Sequence, residues 1–392
     1  MAKVVAVTGN EACANALRQV NPDVCGVYPI TPQTDMMQKY ASFVSNGKVD
    51  TEIILVESEH SSMSACIGAA AAGGRVVTAT SSQGLALMWE MLHIASGDRL
   101  PIIMPVVNRA LSAPLNIHGD HSDAMGARDT GWIQLWSENA QDAYDNTIQA
   151  FRIGEHMDIR LPVMVCLDGF IISHSIERME YLEDEEVKGF VGEYKNFLPL
   201  LDLDKPKSYG PLILPDLFHE YKKAQHETML KVKDVVLKVA ADFEKLSGRK
   251  YGLFESYRLD DADIALVILN SAAGTSKDIV DGFRARGIKA GLLKPRLFRP
   301  FPYEEVAEAL GNTKAVCVMD RSDSFGGYGP VFMEISSALY PLKERPVLIN
   351  RIYGLGGRDY LPEHGEAVLN ELDEIAKGGK VEKYKEYIGV RE

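Results

Sequence analysis

Thr51-Glu-Ile-Ile-Leu-Val-Glu-Ser-Glu-His60 is the stretch from which the fold can be read. Ile53 to Val56 form a short apolar run, the pattern of a strand buried on both faces of a parallel sheet. Ser61-Ser-Met-Ser-Ala-Cys-Ile-Gly-Ala-Ala-Ala-Ala-Gly-Gly74 follows, dense in small residues. It reads as a helix lying close against its neighbour and ended by glycines. Glu59 therefore stands where a strand hands over to a helix. In open α/β sheets, ligands bind at the carboxyl ends of the strands. A first-turn acid that merely complements the helix dipole is the competing account of Glu59.

Working outward, the same alternation recurs. Val4–Thr8 and Val24–Tyr28 are expected strands, with a helix to about Val20 between them and Asn10 as a possible N-cap. Pro29-Ile-Thr-Pro32 stops the second strand. Two prolines fix two φ angles, remove two N–H donors and bias their predecessors toward extended geometry. Such a loop can hold the Thr31 hydroxyl in one place, or can simply set Pro32 at the first position of a helix. Arg75–Thr80 is the next strand, then a turn at Ser81-Ser-Gln-Gly84 and a helix over Leu85–Ser96. Pro101–Val107 is a buried-type strand that ends in Asn108-Arg109-Ala-Leu-Ser112. Thr31, Glu59 and Arg109 thus all lie just beyond apolar strands, and a few convergent polar groups in an apolar setting are what a small-molecule pocket needs. For Arg109 the alternative is an ordinary ion pair.

Gly119-Asp-His-Ser-Asp123 lacks the spacing of a zinc site or an EF-hand, so a hydrogen-bonded loop is expected there and no metal. A helix over Ala140–Glu155 and a strand over Leu161–Leu167 complete a doubly wound parallel sheet. From Ile171 to Tyr257 the pattern breaks, leaving an excursion with one long helix, about Asp216 to Leu246. Alternation resumes near Leu259. Strands are expected at Ala265–Leu269, Ala290–Lys294, Ala315–Met319 and Val347–Asn350, with a helix over Asp278–Arg286. The expected organisation is a first α/β domain over residues 1–258, including the excursion at about 171–258, and a second, smaller α/β domain over 259–392. Gly326-Gly-Tyr-Gly329 lacks the spacing of a dinucleotide or Walker fingerprint.

Length and composition agree with this division. The 392 residues suffice for two or three cores. The formal charge of −13, from 42 basic and 55 acidic residues, argues against nucleic acid and anionic membranes as partners. The opening Met-Ala-Lys-Val-Val-Ala-Val-Thr-Gly-Asn lacks the apolar region of a signal peptide, and no run is long enough to span a membrane, so a cytoplasmic placement is expected. The cysteines, at 13, 25, 66, 166 and 317, form no Cys-x-x-Cys and are expected to be reduced core residues.

Tyr28-Pro-Ile-Thr-Pro32, Glu57-Ser-Glu59, Ser82-Gln-Gly-Leu85, Asn108-Arg-Ala-Leu-Ser112 and Gly119-Asp-His-Ser-Asp123, in this order, closely resemble the alpha subunit of 2-oxoacid:ferredoxin oxidoreductases, and most of all the pyruvate:ferredoxin (pyruvate synthase) branch. The resemblance covers nearly the whole chain and implies that the second domain is like the C-terminal domain of transketolases. It further implies a thiamine diphosphate site shared with a partner chain. On this resemblance Glu59 binds the aminopyrimidine, Pro29 and Ile30 line the cofactor pocket, Arg109 grips the substrate carboxylate and Thr31 donates a hydroxyl. A carboxyl desolvated at a strand end can share a proton with a pyrimidine, and a guanidinium fork suits a carboxylate where an ammonium does not. No Gly-Asp-Gly with a downstream Asn is present, since Asp168-Gly169 lacks the first glycine and Gly119-Asp120 the last. The resemblance therefore implies Mg2+ and the diphosphate half on a beta subunit, iron–sulfur clusters on partner subunits, and gamma and delta subunits, ferredoxin, pyruvate and CoA as further partners. Branched-chain, aromatic or 2-oxoglutarate substrates, and a non-redox thiamine enzyme, remain alternatives.

Overall fold

The computed structural model describes residues 3–196 and 198–391; Met1 and Ala2 of the opening stretch lie outside them. The strands in chain order are Lys3–Val7 (β1), Val24–Val27 (β2), Glu52–Leu55 (β3), Val76–Val77 (β4), Ile103–Asn108 (β5), Ile133–Trp136 (β6), Val163–Asp168 (β7), Glu177–Tyr181 (β8), Phe254–Tyr257 (β9), Ile264–Ile268 (β10), Ala290–Pro295 (β11), Leu297–Arg299 (β12), Ala315–Asp320 (β13), Val347–Ile352 (β14) and Lys385–Tyr387 (β15). A seven-stranded sheet runs β12-β6-β7-β5-β4-β2-β3, and a six-stranded sheet runs β15-β14-β13-β10-β11-β9. Pairing is parallel except at one edge of each sheet, where β12 and β9 run antiparallel. This is the α/β architecture expected. β2 pairs with β3 on one side and β4 on the other, so the chain reverses direction across the first sheet at β2, and a crevice opens at the carboxyl ends of β2 and β4.

The two sheets exchange strands across residue 258. β9 precedes it yet joins the second sheet, and β12 follows it yet joins the first. Charged contacts cross the same seam. Lys294, nearly buried, meets Glu138 and Asp142, and the buried Arg296 donates to Asn146 Oδ1 at 2.8 Å and Gln149 Oε1 at 3.0 Å. A guanidinium desolvated this far needs those acceptors.

Several local expectations are corrected. β3 is not buried on both faces. It is the edge strand of its sheet, and Leu55 is 80% exposed. Ile53 packs against the core of this domain from one face, while Leu55 is left uncovered within this chain. β1 stands outside both large sheets, pairing antiparallel with β8. The first helix, Gly9–Val20, is capped by Thr8 and not Asn10. The Thr8 hydroxyl accepts from Glu11 N–H at 3.2 Å and the Glu11 carboxylate accepts from Thr8 N–H at 3.3 Å, a reciprocal capping box. Asn10 is buried and instead donates to the Pro32 carbonyl at 2.9 Å. The helix expected over Leu85–Ser96 is two, Ser82–Leu87 and Trp89–Gly97. The long helix of the excursion is likewise two, Pro215–Leu230 and Val232–Ser247. The helix expected from Asp278 begins at Ala272. The excursion also holds β8 and a helix at Asp184–Val191, elements whose charged sequences hid them. All five cysteines are free and buried, and burial pushes the thiols of Cys13 and Cys66 up to about 12. Among the described residues no helix is long and apolar enough to cross a membrane.

Candidate active site

The loop after β2 is fixed by side-chain amides. Gln33 Oε1 accepts from Ile30 N–H at 3.2 Å, and Gln33 Nε2 donates to the Ala79 carbonyl at 3.1 Å, tying this loop to the segment after β4. The following helix starts at Thr34, so Pro32 is not its first residue and belongs to the loop. Pro29 and Thr31 are exposed at the crevice and Ile30 is half-buried.

Glu59 opens the helix Glu59–Ala72. Ser58 caps that helix by accepting from Ser61 N–H at 3.2 Å, and Gly73 ends it at φ 119°, a conformation that favours glycine. The helix packs closely, as its small residues suggest: a β-carbon on Gly26 of β2 would lie 2.8 Å from the Ser62 carbonyl oxygen. Glu59 is only 7% exposed. Among the described residues its carboxylate makes no hydrogen bond or ion pair. Gly84 lies against it: a β-carbon there would be 2.7 Å from Glu59 Oε1 and 2.5 Å from Thr80 Oγ1. The Thr80 hydroxyl is itself buried without a partner. Buried polar groups are nearly always paired, so a buried carboxylate and hydroxyl left open beside a glycine fit a ligand that offers donors.

Arg109 follows β5 and is 7% exposed. Its Nη1 donates to the Thr31 carbonyl at 2.9 Å and its Nε to the Asn116 carbonyl at 3.0 Å. Burial draws its pKa below the ordinary arginine value, while the Asp123 charge acts the other way. The ion-pair alternative is thereby replaced by main-chain contacts that bring Arg109 and the Thr31 loop together. Asp123 underlies Arg109 and the turn at Ser82. Its carboxylate accepts from Asn108 Nδ2 (2.9 Å), Ala124 N–H (2.7 Å), Arg109 N–H (3.0 Å) and Ser82 N–H (2.9 Å). Burial pushes it up to about 6 against those four donors.

Gly119–His121 form a hydrogen-bonded loop as expected, but Ser122 and Asp123 already belong to a short helix, Ser122–Gly126. Asp120 Oδ1 accepts from Ser122 N–H at 2.9 Å, and His121 Nε2 lies 2.8 Å from Asp168 Oδ1. Among the described residues no three His, Cys, Asp or Glu side chains converge as a metal site would require. Asp168 also faces Arg321 at 3.2 Å and accepts from Ser271 N–H at 3.1 Å. Burial alone would raise it, but Arg321, His121 and Ser271 outweigh burial and hold it well below the usual carboxylate range. Asp168 thus joins the end of β7 to the second sheet. Two participants carried no sequence signal of their own: Asn116, in a loop of unremarkable composition, and the Gly354–Gly357 turn that it meets. Gly84 and Asp123 stood inside motifs already singled out, though not for the contacts they make.

Residues 15–241 match the family described as pyruvate flavodoxin/ferredoxin oxidoreductase, thiamine diphosphate-binding, and residues 262–364 match pyruvate:ferredoxin oxidoreductase core domain II. The chain is 53% identical to pyruvate synthase subunit PorA of Thermotoga maritima, over 99% of this chain and 98% of that one. It is 47% identical to the PorA subunit of Methanocaldococcus jannaschii (95% and 96%) and 41% identical to ketoisovalerate oxidoreductase subunit VorA of Pyrococcus abyssi (97% and 96%). Among solved structures, the 2-oxoglutarate:ferredoxin oxidoreductase of Magnetococcus marinus aligns with a TM-score of 0.72 at 20% identity, over 94% of this chain and 65% of that one. A split-gene transketolase aligns with a TM-score of 0.56 at 13% identity, over 94% and 98%. At such identities these two structures speak for the fold alone. The chain is an α/β protein of the thiamine-diphosphate-binding kind. It belongs to the pyruvate flavodoxin/ferredoxin oxidoreductase family.

Proposed function

We propose that this chain is the alpha-type subunit of a cytoplasmic pyruvate:ferredoxin oxidoreductase, which takes pyruvate, CoA and oxidised ferredoxin to acetyl-CoA, CO2 and reduced ferredoxin, reversibly. The observation that carries this reading is the open carboxylate of Glu59, buried against Gly84 beside the crevice at β2 and β4. Bound thiamine diphosphate supplies the electron sink for loss of CO2 from a 2-oxoacid. Glu59 would hold a proton at the ring nitrogen of the aminopyrimidine, and Pro29 and Ile30 would wall that ring. Arg109 would orient the substrate carboxylate and Thr31 its oxo group. Beta, gamma and delta subunits complete the assembly in this reading. They would bring Mg2+, the diphosphate contacts and iron–sulfur clusters able to carry electrons singly to ferredoxin.

A second substrate has a specific observation behind it, the likeness to a ketoisovalerate oxidoreductase subunit. Co-purifying the chain with its partner subunits and measuring CoA-dependent ferredoxin reduction decides between them. Pyruvate should give the higher kcat/KM. A higher value for ketoisovalerate would reassign the substrate, and no CoA-dependent reduction with either would overturn the activity.

A further inference from the structure

Arg109 is held by two carbonyl oxygens, one from the Thr31 loop and one from Asn116. Asn116 belongs to a segment that leaves the first sheet and runs exposed. Leu115 is 76% and Ile117 45% exposed, so burial does little to hold the carbonyl that receives Arg109 Nε. The second sheet does. After β14 the chain turns through Gly354-Leu-Gly-Gly357, and two hydrogen bonds clamp the exposed segment to that turn. Asn116 Nδ2 donates to the Gly356 carbonyl at 2.9 Å, across 240 residues, and Gly356 N–H donates to Asp120 Oδ2 at 3.1 Å.

The turn has no room for side chains on this face. Gly356 and Gly357 have φ of 60° and 82°, where a β-carbon is strained. A β-carbon on Gly356 would overlap Asn116 Nδ2, and one on Gly357 would overlap the His118 side chain. The turn is itself bolted to the first sheet. Arg321 Nε donates to the Gly354 carbonyl at 3.1 Å while Arg321 Nη1 faces Asp168 at 3.2 Å. A continuous path therefore runs from Asp168 through Arg321, Gly354 and Gly356 to Asn116 and Arg109. The step from Gly354 to Gly356 is the chain of the turn itself, and every other link is a hydrogen bond or ion pair whose partner is buried or half-buried.

We infer that the Gly354–Gly357 turn of the second sheet sets the position of Arg109 through Asn116, making Gly356 and Asn116 positioning residues for recognition of the substrate carboxylate. The inference rests on the reading of Arg109 given above. Neither residue touches substrate in it. A guanidinium misplaced by a fraction of an ångström loses a directional bond to a carboxylate, and such geometry governs rate steeply.

The test is a double-mutant cycle on the assembled complex, with pyruvate varied at saturating CoA and ferredoxin. Gly356→Ala should lower kcat/KM for pyruvate about tenfold, mainly through KM. In an Arg109→Lys background the same substitution should cost no more than about twofold, because its route to the substrate is already cut. Asn116→Ala, which introduces no strained φ, should show the same pattern, so the inference stands testable even where Gly356→Ala fails to assemble. Asn116→Gln, which keeps the amide, should recover part of the loss. Full, additive losses in the Lys background would overturn the inference, as would normal kinetics in Asn116→Ala beside an impaired Arg109→Lys. An unimpaired Arg109→Lys would overturn the carboxylate reading of Arg109 itself and this inference with it.

Discussion

The guanidinium of Arg109 donates to the main-chain carbonyl of Thr31 at 2.9 Å, across 78 residues of sequence. The contact locks the loop after β2 to the loop after β5. It also uses one N–H of Nη1 and leaves Nη2 without a partner among the described residues, so the two η nitrogens keep donors for a ligand. Arg109→Lys keeps the charge and loses the fork. With hydrogen bonds to charged groups worth about 1.5–3 kcal/mol, kcat/KM for pyruvate should fall roughly tenfold to hundredfold. Because two internal bonds go as well, the melting temperature should also drop. Steady-state kinetics and a melting curve on one preparation check both. A lowered melting point with intact kcat/KM would leave Arg109 a scaffold residue only.

The pairing of Arg109 with Thr31 marks the limit of what the sequence disclosed. Strand ends are legible because apolar runs stop abruptly, so Thr31, Glu59 and Arg109 could each be placed at one level of the sheet. What each side chain grips was not legible, because Asn116 and Gly356 are 240 residues apart and neither has a patterned neighbourhood. The apolar run at Ile53–Val56 was misread for a related reason. Hydrophobicity reports that a surface is covered in the working protein, not that the same chain covers it, and β3 is an edge whose Leu55 points to solvent in this chain. In the excursion, Glu177-Arg-Met-Glu-Tyr181 is a strand held by β1 despite its charges. Tertiary pairing there overrides local propensity.

Asp168 carries the clearest dependence on pH. Its folded-state carboxyl is depressed by Arg321, His121 and Ser271, so the stability it contributes is present above the unfolded carboxylate pKa of about 3.9 and is lost as pH falls below it. Asp168→Asn leaves Arg321 buried beside a neutral group. Breaking a buried pair on one side costs about 3–5 kcal/mol. Denaturation midpoints should show that deficit at pH 7 and a smaller one at pH 3, where the unfolded chain already takes up the proton that the folded Asp168 still excludes. A deficit constant across that range would show that Asp168 acts by packing alone.

Thiamine diphosphate should bind the isolated chain poorly. In the proposed reading Glu59 and the Pro29–Thr31 loop would meet only the pyrimidine end, and a net charge of −13 does not favour a diphosphate. Calorimetry with thiamine diphosphate and Mg2+ on the isolated chain and on the assembled complex checks this. Tight binding to the chain alone would contradict a site shared between subunits.

Glu59 is the residue on which the functional account stands. Turnover of the assembled complex carrying Glu59→Gln, measured as pyruvate-dependent reduction of ferredoxin with the subunits shown to co-purify, tests it most directly. Glutamine preserves the shape against Gly84 and removes the exchangeable charge. Proton transfer by a positioned acid or base is worth about 10²–10⁴-fold, so kcat should fall by that factor while assembly and melting temperature hold. Near-normal kcat in Glu59→Gln would contradict the account.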